Sequence, residues 1–183
     1  MRKLLSTSAL LFSLLGLQQM ALGQTTVYLT PADALKQIFK DSQEVLKEDH
    51  PVDAEQRKQA QAVLGYDLPK AQYSFYIGRS GGKIDGYAVI DEEVGKVQPI
   101  TFVTRINPDG QVAAVEIMVF RESHGGDVAS KRFLNQFRQK SLNSELRLHG
   151  DIVNVSGATL SSHALVVGVK RALALWQIFY GKS

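Results

Sequence analysis

The sequence predicts an α+β domain: an antiparallel sheet with N-terminal helices and a long C-terminal helix packed against it. Runs rich in β-branched and aromatic residues lie between Tyr73 and Phe120, separated by the turn signals Ser80-Gly81-Gly82 and Asn107-Pro108-Asp109-Gly110. Beyond Leu160, the apolar residues Leu165, Val169, Ala172, Leu173, Trp176 and Phe179 recur at three- and four-residue steps, one face of an α-helix. Helix-start signals precede the strands, and helices gathered on an antiparallel sheet make an α+β domain.

Taken in order, residues 1–23 read as a secretory signal peptide. Arg2-Lys3 leads an apolar stretch from Leu4 to Leu17, and small residues in Ala21-Leu22-Gly23 precede Gln24. The stretch is short for a membrane span, so residues 24–183 are expected to form a single exported domain, with an uncleaved N-terminal anchor as the alternative. Thr30-Pro31-Ala32-Asp33 reads as a helix start, with threonine as N-cap and proline in the first turn, and Leu35, Ile38, Phe39 and Leu46 continue at helical spacing. A second helix is expected from Asp53 to Leu64, stopped by Gly65. Tyr73 to Ile77, Gly86 to Ile90, Ile100 to Ile106 and Val112 to Phe120 read as an antiparallel meander. Asp127 reads as the cap of a helix reaching Lys140, with Phe133, Leu134 and Phe137 on one face. An irregular or extended stretch, Leu146 to Val155, leads to the final helix.

Charge and cysteine content narrow the function. Removal of residues 1–23 takes away two of the 21 basic residues and none of the 18 acidic ones, leaving a net charge of +1. The remaining Lys and Arg are scattered without interleaved aromatics, so no nucleic acid is expected as a partner. The chain has no cysteine, which excludes disulfide staples, c-type haem attachment and a thiolate-held iron–sulfur cluster. Any redox cofactor must then be organic or held by other ligands.

The run Asn154-Val155-Ser156-Gly157-Ala158-Thr159-Leu160-Ser161-Ser162 sets small residues and hydroxyls at the start of the last helix. The first turn of a helix has backbone N–H groups without partners and a partial positive charge, so it favours an anion. The same residue types are those expected of an ordinary N-cap, and helix-start physics leaves both readings open. Elsewhere, His50, His124, His149 and His163 have no metal-ligand spacing, and no metal site is expected. Asp91-Glu92-Glu93 reads as a solvated strand end, and nothing like a nucleophile elbow frames Ser161 and His163.

Ser156-Gly157-Ala158-Thr159 followed by Leu160-Ser161-Ser162 resembles the [ST]-G-A-T-x-[ST]-S motif of FMN-binding domains. This family includes the C-type flavin-bearing component of sodium-translocating NADH:quinone reductase and the G-type component of its relatives. The resemblance extends over Gly86-Tyr87-Ala88-Val89-Ile90, Val112 to Phe120, and Arg121-Glu122-Ser123-His124-Gly125-Gly126. It implies FMN as cofactor, joined to Thr159 by a phosphoester through a flavin transferase that uses FAD. It also implies phosphate contacts from Ser156, Gly157, Ala158, Leu160, Ser161 and Ser162. The loop carrying Glu122, His124, Gly125 and Gly126 would then form a wall beside the flavin ring. The family's attachment signal usually reads D-x-x-[ST]-G-A-T, which places an acid at position 153, where this chain has Val153.

The expected protein is thus an electron carrier rather than a stand-alone enzyme, placed in the periplasm or on an extracytoplasmic membrane face. Its redox partners would be a membrane complex or a second exported carrier. A non-covalent FMN binder and a non-redox extracytoplasmic binding module remain as alternatives.

Overall fold

The computed structural model describes residues 25–181; the leader read at 1–23 lies outside the described residues. The elements are β1 (Thr26–Val27), α1 (Pro31–Ile38), β2 (Glu44–Pro51), α2 (Ala54–Leu64), β3 (Gln72–Ser80), β4 (Lys83–Val94), β5 (Pro99–Ile106), β6 (Val112–Phe120), α3 (Lys131–Leu134) and α4 (Thr159–Tyr180). Six strands form one sheet in the order β1-β6-β5-β4-β3-β2, and every pairing is antiparallel. This is the expected α+β architecture.

Alternation along the strands divides the core between the two sheet faces. Phe75, Ile77, Val89, Phe102, Ile106, Val115 and Ile117 face α2 and α4 and build the main core. Ala88, Val103 and Met118 face the other way, where Ala34, Ile38 and Phe39 cover them from α1 and its end. Both N-terminal helices start where local chemistry predicts. The Thr30 hydroxyl accepts from the Asp33 N–H, and Asp53 and Gln56 form a reciprocal capping box before Gly65 ends α2 in a left-handed conformation.

Three expectations need correction. Leu46 belongs to β2, which pairs with β3 over eight residues although most of its side chains are exposed. An edge strand of charged residues carries no apolar alternation to read. The helix expected from Asp127 to Lys140 is instead a 3-10 turn at Gly126–Ala129, the single-turn α3 capped by Ser130, and a second 3-10 turn at Asn135–Phe137. The Gln139 N–H bonds to the Val112 carbonyl, and the Val112 N–H to the Lys140 carbonyl, so the start of β6 draws the chain off a helical path. Val128, Phe133, Leu134 and Phe137 are nevertheless buried in the core.

The third correction concerns Asp91, which is only 2% exposed and sits under α4. Arg171, 1% exposed, donates from Nε to Asp91 Oδ2 at 2.7 Å, from Nη1 to Glu93 Oε2 at 2.6 Å and from Nη2 to the Glu92 carbonyl at 3.0 Å. Lys70 Nζ reaches the other Asp91 oxygen at 2.7 Å. Burial pulls the guanidinium pKa down, but the charge of Asp91 and the hydrogen bonds to Glu93 and Asp91 outweigh it and hold Arg171 charged. Burial pushes the adjacent Tyr73 hydroxyl up to about 12.

Close packing sets the lie of α4 elsewhere. A Cβ at Gly168 would collide with the Phe102 ring, and Trp176 fills the space beside Gly110 in the β5–β6 turn. The last turn docks on the β2 edge, where the Tyr180 hydroxyl donates to Glu48 at 2.9 Å and lies 2.6 Å from His50 Nε2.

Removing one partner of the buried pair should unmask the other charge. Arg171→Ala is expected to lower the unfolding free energy by about 3–5 kcal/mol in urea titrations, and Arg171→Met with Asp91→Leu should recover most of it. A loss below about 1 kcal/mol, the range of an exposed pair, would contradict this assignment.

Candidate functional site

Three segments distant in sequence converge at the sheet end where β4 turns into β5 and β6 finishes. Lys96 and Val97 from the turn, Glu122, Ser123 and His124 after β6, and Gly157 to Ser161 at the start of α4 line a groove of about 620 Å³. Cofactor sites commonly span roughly 300–1,000 Å³.

The helix end is the polar wall. Ala158 occupies the N-cap position, and no side chain caps α4, so the serine or threonine cap considered from sequence is not formed. The N–H groups of the first turn therefore lack intrahelical partners and carry the positive end of the helix dipole. Gly157 adopts a left-handed φ of +75°, and nothing lies within 4 Å of where its Cβ would be. The exposed hydroxyl of Thr159 accepts a hydrogen bond from Asn154 Nδ2 at 2.8 Å.

Beside this wall, the backbone closes around Ser161. A Cβ at Gly125, where φ is +87°, would stand 3.1 Å from Ala158 Cβ and 3.3 Å from Ser161 Oγ. At Gly95 it would stand 3.0 Å from Glu122 Oε1 and 3.4 Å from Ser161 Oγ. A side chain at either position would press on its neighbours, so glycine lets the two connections pack closely against Ser161. Val97, 66% exposed, and Leu160, 53% exposed, add apolar surface to the groove.

Glu122 acts on the turn. Its Oε1 accepts the N–H groups of Val97 at 2.6 Å and Gln98 at 2.9 Å. Partial burial raises its pKa, but the backbone N–H groups of Gln98, Val97 and Lys96 together hold the carboxyl below its ordinary range. His124 is exposed, and its Nδ1 lies 2.9 Å from the Ser123 hydroxyl.

The structure thus brings Glu122, His124, Gly125, Ala158, Thr159, Leu160 and Ser161 together, with Gly157 at the rim. Three other expected residues stand apart. Ser156 lines an adjoining groove of about 490 Å³ with Arg132, Phe133, Gln136 and Val153. Ser162 is fully buried, and its hydroxyl accepts from the Val155 N–H, so it braces the turn. Gly126 lies against Tyr28 and Phe120. Sequence reasoning missed Gly95, Lys96, Val97 and the Asn154 contact. A lysine in a strand-to-strand turn carries no signal until the sheet brings that turn beside α4.

An uncapped helix end, an approachable glycine, hydroxyls and a nearby lysine suit a phosphate, while Val97 and Leu160 suit a flat ring. The donor set and the size of the groove therefore fit FMN.

Comparison with known proteins agrees with this reading. A family model described as "FMN-binding domain" matches residues 95–174, which span the turn, the loop and the helix start. The G-type component of the Na(+)-translocating ferredoxin:NAD(+) oxidoreductase complex of Acetobacterium woodii is 28% identical over 148 residues, covering 74% of this chain and 72% of that protein. Its counterpart in the proton-translocating ferredoxin:NAD(+) oxidoreductase complex of Clostridium ljungdahlii is 31% identical over 148 residues, covering 72% and 80%. Two crystal structures share the fold. Shewanella oneidensis NqrC has a TM-score of 0.50 and 18% identity, with 77% and 81% of the chains covered. The C-type component of the Na(+)-translocating NADH-quinone reductase of Parabacteroides distasonis has a TM-score of 0.55 and 14% identity, with 84% and 86% covered.

The Glu122 clamp has a pH signature. A carboxyl held below its ordinary value of 4.5 contributes stability that is fully present above that value and is lost as pH falls through the folded pKa. Amide signals of Val97 and Gln98 should titrate together in NMR spectra with a midpoint below 4.5 and stop titrating in that range in Glu122→Gln. A midpoint above 4.5 in the unsubstituted protein would rule the clamp out.

Proposed function

The chain belongs to the FMN-binding domain family, and from that premise we propose that it is an exported electron carrier whose FMN is joined through a phosphoester to Thr159. The observation that carries the reading is the accessible Thr159 hydroxyl at the rim of an uncapped helix end, in a groove shaped for a phosphate and a ring. When bound, FMN supplies transfer of one or two electrons.

This chain's residues do the remaining work. The first-turn N–H groups and the Ser161 hydroxyl hold the phosphate, with Lys96 adding a counter-charge. Val97 and Leu160 shield one end of the ring from water. Glu122 fixes the turn that carries Lys96 and Val97, so its influence on the flavin is through position. Covalent attachment suits an exported protein, because a phosphoester persists at dilution whereas reversible binding empties as ligand becomes scarce.

The relatives are named as parts of ion-translocating oxidoreductase complexes, which supports a membrane redox complex as partner and a place on its extracytoplasmic face. Among the described residues, no helix is long and apolar enough to cross a membrane. Val153, in place of the family's acid, favours a second reading in which FMN binds without a covalent bond.

Intact-mass measurement separates the two. Protein purified from exporting cells that contain a flavin transferase and FAD should carry an FMN adduct, absent in Thr159→Ala. A yellow protein that loses its colour on denaturation and filtration would favour the second reading, and a colourless, unmodified one would overturn both.

A further inference from the structure

We propose that Asn154 is the positioning residue that presents the Thr159 hydroxyl for attachment, and that side-chain chemistry at position 153 is not used for this in the chain. The proposal rests on the covalent reading above. Its starting point is the 2.8 Å hydrogen bond from Asn154 Nδ2 to Thr159 Oγ1. The other end of the amide, Oδ1, is buried without a hydrogen-bond partner among the described residues. A buried carbonyl left unpaired is unfavourable, so stability alone does not account for an asparagine here. Its one satisfied contact fixes the rotamer of the threonine that bears the cofactor.

Residue 153 is held in a different direction. The side chain of Val153 is 69% exposed and lines the adjoining groove. Its N–H donates to Gln136 Oε1 at 2.8 Å, and its carbonyl accepts from Gln136 Nε2 at 3.1 Å. On the other side, the Val155 N–H donates to Ser162 Oγ at 3.4 Å. The backbone is thus fastened on both flanks of Asn154, which delivers the amide to Thr159 and turns the neighbouring side chain away.

In the attachment step, Thr159 Oγ1 forms a bond to the flavin-side phosphorus of FAD. The P–O bond to the bridging oxygen breaks, AMP leaves with that oxygen, and the hydroxyl proton passes to water. No electrons are gained or lost. A side chain that holds Oγ1 in one rotamer raises the fraction of encounters in which it can attack.

The test is a time course of intact mass for purified apoprotein with flavin transferase and FAD. Asn154→Ala should slow adduct formation about tenfold, the scale of one net hydrogen bond. Asn154→Asp, whose carboxylate accepts from the hydroxyl, should stay within about twofold of the unsubstituted rate. Val153→Ala should react at the unsubstituted rate, and Val153→Asp should gain nothing. An Asn154→Ala protein reacting at the unsubstituted rate overturns the inference alone, as does a gain in Val153→Asp. A loss in Asn154→Ala shared by Asn154→Asp, with equally lowered thermal midpoints in both, identifies fold damage and also overturns it. An unsubstituted protein that forms no adduct overturns the covalent reading and the inference with it.

Discussion

The buried guanidinium of Arg171 is the constraint on which the rest of the structure depends. An ion in the core requires compensation, and β4 provides it with two carboxylates and a backbone carbonyl. Such directional bonds set the height and rotation of α4 on the sheet in a way that a leucine in the same place would not. Because one continuous helix runs from Thr159 to Tyr180, fixing it at Arg171 also fixes where its first turn lies. Gly168 against Phe102 sets how closely the helix approaches the sheet, and the Glu48–Tyr180 bond ties its far end.

The site assembles on that foundation from parts that are individually ordinary: a hairpin turn, a glycine-containing loop and a helix start. Their convergence creates an electrostatic contrast. One wall offers donors that hydrogen bonding inside the fold leaves unused. The nearby acid, Glu122, has its charge directed onto the backbone of the opposite turn. A negatively charged ligand in this groove would have the helix end and Lys96 on one side and a carboxylate whose Oε1 is already engaged on the other.

Much of this was legible in the chain. α2 was marked from cap to stop by Asp53 and Gly65, the meander by its turn residues, and α4 by a sustained apolar face. Thr159, Gly157 and the loop after β6 stood out through a motif and local turn chemistry. What escaped depended on distant partners. β2 has no apolar alternation because it lies at an edge, so Leu46 read as helical. Asp91 looked solvated because its partners Lys70 and Arg171 are distant in sequence. The segment after Gly126 is interrupted where Ser130 turns extended and drawn off at its end by hydrogen bonds with β6. Lys96 enters the site only through the tertiary path that brings its turn beside α4, whereas Asn154 meets Thr159 locally, across the bend at Gly157.

The mounting of α4 separates the residues that hold the helix from those that shape the groove. Its middle and far end are anchored to the sheet, whereas its beginning projects past those anchors and meets short connections, Gly95 to Gln98 and Glu122 to Gly126. The middle and far end of the helix thus carry most of its attachment to the sheet, and its start carries the proposed site. Substitutions in the two short connections can therefore reshape the groove while leaving the contacts of Arg171, Gly168 and Tyr180 untouched.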